Sequence, residues 1–511
     1  MRLLNKRLIL LVFSLSIFSA VAKPVNVVLI TADDLGYESV ASLGNSIPDL
    51  TPNLDTFADQ GVQFHRAHVN SPICQPSRAN LATGLYSINS GMMGFIHMKK
   101  PSPTVMQTLS DNGYITGIIG KIHHSNPDLN YTWDFVKDRY DLDMGRNPQK
   151  YYHFIKQFLE RSKKEKKPFY LMVNSHDPHR PFYDPEDPKR WGVPPSKLFT
   201  TEDVKVPGYL PDILVVREEL SHYYNSIRRL DDTFGKVIQA LNESGMIKNT
   251  LIMFLSDNGS AFPFAKANTY LASSKTPWLV HWPENIRGGQ VDDEHFISGI
   301  DFFPTVLDAL DLPIPESLDG RSFLPLMQGK KQRGRQYVYT QIDYKNSGPA
   351  RPMRAVQNEK YGYIFNPWSS EGAAYRNANE GKITKAMALS NDENQLARLK
   401  MFRERVPEEF YDLERDPDCL NNLIDNPKYK NQLKAFRSRL KRWMVKHNDP
   451  ALVLFENKDS PETMAKLLEH DFPKKEDLMP QAQKDGAEAL RQEKSRRYKA
   501  WERRSQGMIV K

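Results

Sequence analysis

Four short apolar runs in the first half of the chain each end abruptly in a polar cluster. Val25-Asn26-Val27-Val28-Leu29-Ile30 runs into Thr31-Ala32-Asp33-Asp34, and Tyr114-Ile115-Thr116-Gly117-Ile118-Ile119 into Gly120-Lys121-Ile122-His123-His124. Phe169-Tyr170-Leu171-Met172-Val173 leads to Asn174-Ser175-His176-Asp177-Pro178-His179, and Leu251-Ile252-Met253-Phe254-Leu255 to Ser256-Asp257-Asn258-Gly259. Near-continuous apolar runs of this length read as strands buried on both faces. Ligands of open α/β sheets bind beyond the carboxyl ends of such strands. One polar run-end is ordinary. Four that carry Asp-Asp, Lys-x-His-His, His-x-x-His and Asp-Asn predict a single assembled site.

Helical spacing fills the gaps between the runs. Residues 53–58 follow Thr51-Pro52, a helix start with proline early in the first turn, and residues 221–241 carry an amphipathic pattern. Strand–helix alternation predicts an α/β domain over residues 23–335. Beyond it, Tyr337-Val338-Tyr339-Thr340 and Tyr361-Gly362-Tyr363-Ile364-Phe365 read as short strands. Phe410-Tyr411-Asp412-Leu413 opens a turn-rich loop, and residues 432–447 return to helical spacing. These predict a smaller α+β subdomain over residues 336–450. Residues 451–511, rich in Lys, Arg, Glu and Gln, read as a charged helical tail, solvated or laid on the surface.

The amino terminus places the chain in a compartment. Arg2, Lys6 and Arg7 precede an apolar stretch from Leu8 to Phe18 and the small-residue site Ala20-Val21-Ala22. This is the pattern of a cleaved signal peptide, residues 1–22, and it is too short to span a bilayer. No later stretch approaches the ~20 apolar residues a membrane helix needs. The expectation is a periplasmic or secreted protein, or a lysosomal one in a eukaryote. The net charge of +8 is diffuse. Without a basic stripe interleaved with aromatics, nucleic acid is not an expected partner.

The chain holds only two cysteines. A disulfide between Cys74 and Cys419 stays open on sequence grounds. Cys74 lies in the polar stretch Ser71-Pro72-Ile73-Cys74-Gln75-Pro76-Ser77-Arg78-Ala79-Asn80-Leu81-Ala82-Thr83-Gly84. Pro76 marks a helix start, which puts Cys74 at a helix N-terminus that favours negative charge. Arg78 follows one turn later on the same face. A low-pKa thiolate fits such a place, but no neighbouring histidine supplies a base.

Cys74-Gln75-Pro76-Ser77-Arg78, continued by Leu81-Ala82-Thr83-Gly84, resembles the Cys-x-Pro-Ser-Arg signature of the type I sulfatases. The resemblance implies an alkaline-phosphatase/sulfatase-like α/β fold, with a large mixed central sheet flanked by helices and a smaller C-terminal α+β subdomain. It also implies that a formylglycine-generating maturation enzyme oxidises Cys74 to an aldehyde, which hydrates to a geminal diol. One hydroxyl attacks sulfur; deprotonating the other then expels sulfate and restores the aldehyde. Carried onto this chain, Asp33, Asp34, Asp257 and Asn258, with position 74, are the implied ligands of Ca²⁺, with Mg²⁺ less favoured. Lys121 and Lys266 are the implied sulfate clamps, Arg78 the holder of the diol, His123 the base for its second hydroxyl, and His176 a sulfate contact or acid for the leaving group. His179 and Arg180, with Arg354 from the smaller subdomain, are the implied substrate-pocket residues.

Further matches are Gly91-Met92-Met93-Gly94, His176-Asp177-Pro178-His179-Arg180, Phe262-Pro263 with Asn268-Thr269-Tyr270, and Pro352-Met353-Arg354-Ala355-Val356-Gln357. They resemble the heparan N-sulfatase (N-sulfoglucosamine sulfohydrolase) branch. Lys266 departs from it, standing where that branch has arginine and O-sulfatases have lysine. The expected substrate is therefore a sulfated carbohydrate, either N-sulfoglucosamine or an O-sulfated algal polymer such as ulvan. The alternatives are a phosphodiesterase or phosphonate hydrolase of the same superfamily and a non-catalytic carbohydrate-binding pseudosulfatase.

Overall fold

A computed structural model describes residues 24–187, 193–369, 373–375 and 380–508. The signal-like segment 1–22 lies outside them. Among the described residues no helix is long and apolar enough to cross a membrane.

The four apolar runs are four neighbouring strands. They are β1 (Asn26–Asp33), β4 (Ile115–Ile119), β6 (Phe169–Pro178) and β7 (Thr250–Ser256). Four shorter strands extend this sheet: β2 (Val62–Phe64), β5 (Phe135–Lys137), β8 (Trp278–His281) and β9 (Gln290–Asp292). Its order is β5-β4-β6-β1-β7-β8-β2-β9. From β5 to β7 every pairing is parallel, whereas β8 runs antiparallel to both β7 and β2. Strands β3 (Ala67–His68) and β10 (Ile297–Ser298) form a separate parallel pair. The parallel block brings the carboxyl ends of β4, β6, β1 and β7 to one edge.

Both faces of the sheet are buried, which explains the unbroken apolar runs. Side chains alternate between two cores, as a pleated strand requires. Val28 and Ile30 of β1, with Leu171, Val173, Ile252 and Phe254, face helices 148–165 and 214–243. Val27, Leu29, Tyr170, Met172, Leu251 and Met253 face the other way, toward helices 105–111 and 302–309. Helix Pro52–Gln60 begins with Pro52 in its first turn, as its sequence predicts. Helix Leu214–Glu243 runs longer at both ends than its amphipathic core.

A second, antiparallel sheet has the order β11 (Val338–Ile342), β12 (Met353–Gln357), β13 (Tyr361–Phe365), β14 (Glu408–Asp412). Helix Lys430–Lys446 packs on it through Leu433, Phe436, Leu440 and Trp443, against Val356, Tyr363 and Phe410. The final long helix, Gln481–Met508, lies against the main body.

Arg354 corrects one expectation. It is fully buried in β12. Its guanidinium reaches Asp449 at 2.6 and 2.8 Å and Asp343 at 2.7 Å, and donates to the Ile342 and Met353 carbonyls at 3.1 and 3.0 Å. Every donor nitrogen is spent inside the subdomain, so this arginine ties β12 to the turn after helix 430–446 and does not face substrate. The two cysteines are both free.

Removing one member of a buried ionic cluster strands the others. Arg354→Ala is therefore expected to lower unfolding free energy by about 3–5 kcal/mol, measured by denaturant titration. A variant as stable as the parent would show that the cluster does not anchor the second sheet.

Candidate functional site at the strand ends

The end of β1 solves a geometric problem. Consecutive strand residues point to opposite faces, yet both aspartates enter the same space. The β1–β6 register shifts between Thr31 and Asp33, and Asp34 leaves the strand in the left-handed region at φ 72°. Both carboxylates are completely buried. The adjacent end of β7 supplies Asp257 and Asn258, also fully buried. The Asp34 amide donates to Asp257 Oδ1 at 3.2 Å, and Asn258 Nδ2 donates to Asp34 Oδ1 at 2.8 Å.

Helix Cys74–Thr83 presents its first turn to these carboxylates. Cys74 is only 2% exposed, and its Sγ lies 3.4 Å from Asp33 Oδ1 and 4.0 Å from Asp34 Oδ1. Burial pushes its thiol well up, against the pull of Lys266, so the low-pKa thiolate reading fails here. Arg78, one turn on, is fully buried. It bonds Asp257 Oδ2 at 2.8 Å, Thr31 Oγ1 at 2.7 Å and Asn174 Oδ1 at 2.8 Å. The arginine thus clamps the ends of β1, β6 and β7 to the helix that carries Cys74.

Two lysines close the anionic cage. Lys121 follows Gly120, and both have positive φ. A Cβ on Gly120 would collide with the Asn174 carbonyl, so only glycine lets β4 turn here. The turn delivers the Lys121 ammonium onto Asp33 Oδ2. Lys266 reaches Asp34 Oδ1 at 2.5 Å from a loop whose Ala267 amide bonds the Pro72 carbonyl at 2.8 Å. Burial opposes the Lys266 charge, but Asp34 and its neighbours raise the ammonium above its usual range. Burial likewise would raise Asp33, yet Lys121, His179, Lys266 and Arg78 hold it well below the carboxylate range. Asp257 goes the other way, to about 7, through burial and the nearby Asp33 and Asp34, despite Arg78.

The histidines line a neighbouring cavity of about 240 Å³. The His176 ring is neutralised by burial and by Lys121, and its buried Nδ1 has no hydrogen-bond partner. Gly145 makes room for it: a side chain there would strike the ring. His179 Nε2 lies 3.8 Å from Asp34 Oδ2, and burial with Lys266 lowers its pKa to about 4. Arg180 lines the cavity while its guanidinium pairs with Glu219, bonds the Ala261 carbonyl at 3.1 Å and lies 4.3 Å from the Phe182 ring centroid.

Both His123 and His124 line this cavity. His123 has the more solvent-exposed side chain, yet burial is the first cause that lowers its pKa, to about 4, with Lys494 and Arg139 adding to it. His124 is the inward ring: burial first, then Lys121, depresses it, and Asp33, Arg78 and His179 act on it too. Its buried Nδ1 is unpartnered. The short helix Ile122–Ser125 sets which ring turns in, and the doubled histidine is the only sequence hint. Sequence reasoning also missed Thr31 and Asn174, which position Arg78, and Asp177, buried between Arg146 at 3.0 Å and Arg229 at 2.7 Å.

The donor set fits a divalent cation. Asp33, Asp34, Cys74 and His179 each offer a ligand atom, all within 4.8 Å of one another. Asp34 Oδ2 and Asn258 Oδ1 are buried without hydrogen-bond partners, an expense that native sites tolerate when a ligand satisfies such atoms. Hard carboxylate and amide oxygens suit Ca²⁺ or Mg²⁺.

Comparison with known proteins agrees with this geometry. The family described as Sulfatase matches residues 25–312, and that of the N-sulphoglucosamine sulphohydrolase C-terminal region matches residues 260–371. N-sulphoglucosamine sulphohydrolase of Homo sapiens is 31% identical over 467 residues, covering 84% of this chain and 91% of its own. An ulvan-active sulfatase of Formosa agariphila is 26% identical over 466 residues, covering 83% of this chain and 76% of its own. A solved protein in complex with its substrate D-glucosamine-2-N,6-O-disulfate superposes with a TM-score of 0.61 at 17% identity, covering 84% of this chain and 99% of its own. That likeness shows the shared mixed-sheet fold. By the extent of the match and the identity to a human relative, the chain belongs to the sulfatase family.

Proposed function

We infer that the chain removes sulfate from a sulfated carbohydrate, with position 74 as the nucleophile, after export from the cytoplasm by its signal-like segment. The observation that carries this reading is the Cys74 Sγ packed 3.4 Å from Asp33, inside a cage of three carboxylates and two lysines. Oxidation of Cys74 to formylglycine by a maturation enzyme would supply, as the aldehyde hydrate, one hydroxyl to attack sulfur and displace the sugar and a second whose deprotonation expels the sulfate and restores the aldehyde. Asp33, Asp34, Asp257 and Asn258 would hold Ca²⁺, which adds positive charge for an anionic substrate and acidifies a neighbouring hydroxyl.

The protein's own groups do the rest. Lys121 and Lys266 offer ammonium hydrogens to sulfate oxygens, fixed beforehand so that no reorganisation is needed as charge develops. Arg78, locked by Asp257, Thr31 and Asn174, keeps position 74 against the cage. His124 and His176, kept neutral by burial and by Lys121, are equipped to accept a proton. His179 and Arg180 border the space that a sugar would occupy. The likeness to N-sulphoglucosamine sulphohydrolase makes N-sulfoglucosamine the first substrate to assay, and the likeness to the ulvan-active sulfatase makes ulvan oligosaccharides the second.

Desulfation by purified protein, co-expressed with a maturation enzyme, should appear on at least one of these sugars and exceed any action on aryl phosphate; turnover of phosphate alone would reject the sulfatase reading. Cys74→Ala should retain the fold, checked by circular dichroism, and lose essentially all turnover. Mass spectrometry of the peptide spanning position 74 should give the aldehyde rather than the thiol. Chelation should abolish activity and Ca²⁺ should restore it better than Mg²⁺; indifference to chelator would remove the cation from the reaction. His124→Ala should cost about 10²–10⁴-fold in kcat and His123→Ala far less, and the reverse order would return the proton transfer to His123.

A further inference from the structure

The tail helix Gln481–Met508 does not trail into solvent. Lys494, Arg497 and Trp501, spaced three and four residues apart, share one face of it. Trp501 is 9% exposed and packs with Tyr140 and Met144. Arg497 pairs with Asp138 at 2.5 Å. The Tyr140 hydroxyl donates to the Lys494 carbonyl at 3.1 Å. At the helix start, Gln483 exchanges hydrogen bonds with the His97 amide at 2.9 Å and the Phe95 carbonyl at 3.0 Å. The helix is thus strapped across loop 138–145, whose last residue, Gly145, seats the His176 ring.

This placement sends Lys494 into the wall of the cavity that holds Lys121, His124 and His176. Arg139 stands beside it, donating to the Tyr140 hydroxyl at 2.8 Å. Among the described residues neither cation has a carboxylate partner, whereas Arg497 next to them has one. Glu493, the neighbouring acid, is exposed. Burial first, and then Arg139, depress the Lys494 ammonium. The caged lysines bind their own aspartates; these outer cations are left for something that arrives.

We propose that Lys494 and Arg139 form an outer subsite for a second anionic group on the sugar substrate, so that the enzyme selects polyanionic carbohydrates over monosulfated ones. The inference rests on the sulfated-carbohydrate reading above. The second anion has the chemistry of an oxyanion, met either by another sulfate on the same sugar or by the carboxylate of an adjoining uronate. Recognition by the tail makes residues 481–508 part of the specificity apparatus although they lie far in sequence from the catalytic cage.

The test measures binding, so that it stands apart from turnover. In the full-length Cys74→Ala protein, Kd is measured by calorimetry for N-sulfoglucosamine, for a disulfated glucosamine and for a uronate-linked N-sulfoglucosamine disaccharide. Lys494→Ala should weaken the disulfated or the uronate-bearing ligand about tenfold more than the monosulfated sugar, and Lys494→Arg should restore most of the preference. The ligand that responds identifies the second anion. Equal loss on all three sugars, no loss on any, or no binding of any at millimolar concentration overturns the proposal. Turnover of the parent enzyme without this selectivity would sink the subsite and spare the sulfatase reading; selective binding without turnover would do the opposite.

Discussion

The structure turns on a charge balance struck among buried groups. Asp33, Asp34 and Asp257 are each fully buried, and buried carboxylates carry a desolvation cost that only opposite charge or hydrogen bonding offsets. Arg78, Lys121 and Lys266 meet that demand from three different segments. The balance is uneven: Asp33 is held strongly ionised, while Asp257 rises to about 7. A cage poised in this way can take in further positive charge. The strand ends, the left-handed turns at Asp34 and Lys121 and the helix carrying Cys74 are arranged around this one requirement.

Much of this was legible in the sequence, for a physical reason. Strands buried on both faces have to be apolar throughout, so β1, β4, β6 and β7 stand out from the chain around them. Their polar ends had no apolar role to explain them. The edge and antiparallel strands β2, β5 and β9 span three residues each and leave too short a pattern to read. Family resemblance supplied the expected roles of residues whose types alone are uninformative, Lys266 above all.

Where sequence reading failed, side-chain direction was the missing quantity. His123 and His124 stand one position apart on a four-residue helix and both reach the cavity, and spacing to Lys121 does not say which ring faces inward. Arg354 has the composition of a ligand-binding residue, but Asp343 and Asp449, the latter 95 positions away, absorb its charge. Asn174 and Thr31 look like ordinary strand-end residues until Arg78 is seen bonded to both. The tail's reading as a charged helix laid on the surface stood, but its packing face through Lys494, Arg497 and Trp501 is too narrow and polar to locate from spacing.

All ten residues of helix Cys74–Thr83 are buried. A second protein reaching for that thiol would find it walled in by β1, by β7 and by the loop bearing Lys266. An enzyme that oxidised this side chain, as proposed above, would have to reach it before the helix packs into the folded protein. Under that reading, molecules that close first would keep the thiol, sealed inside the fold.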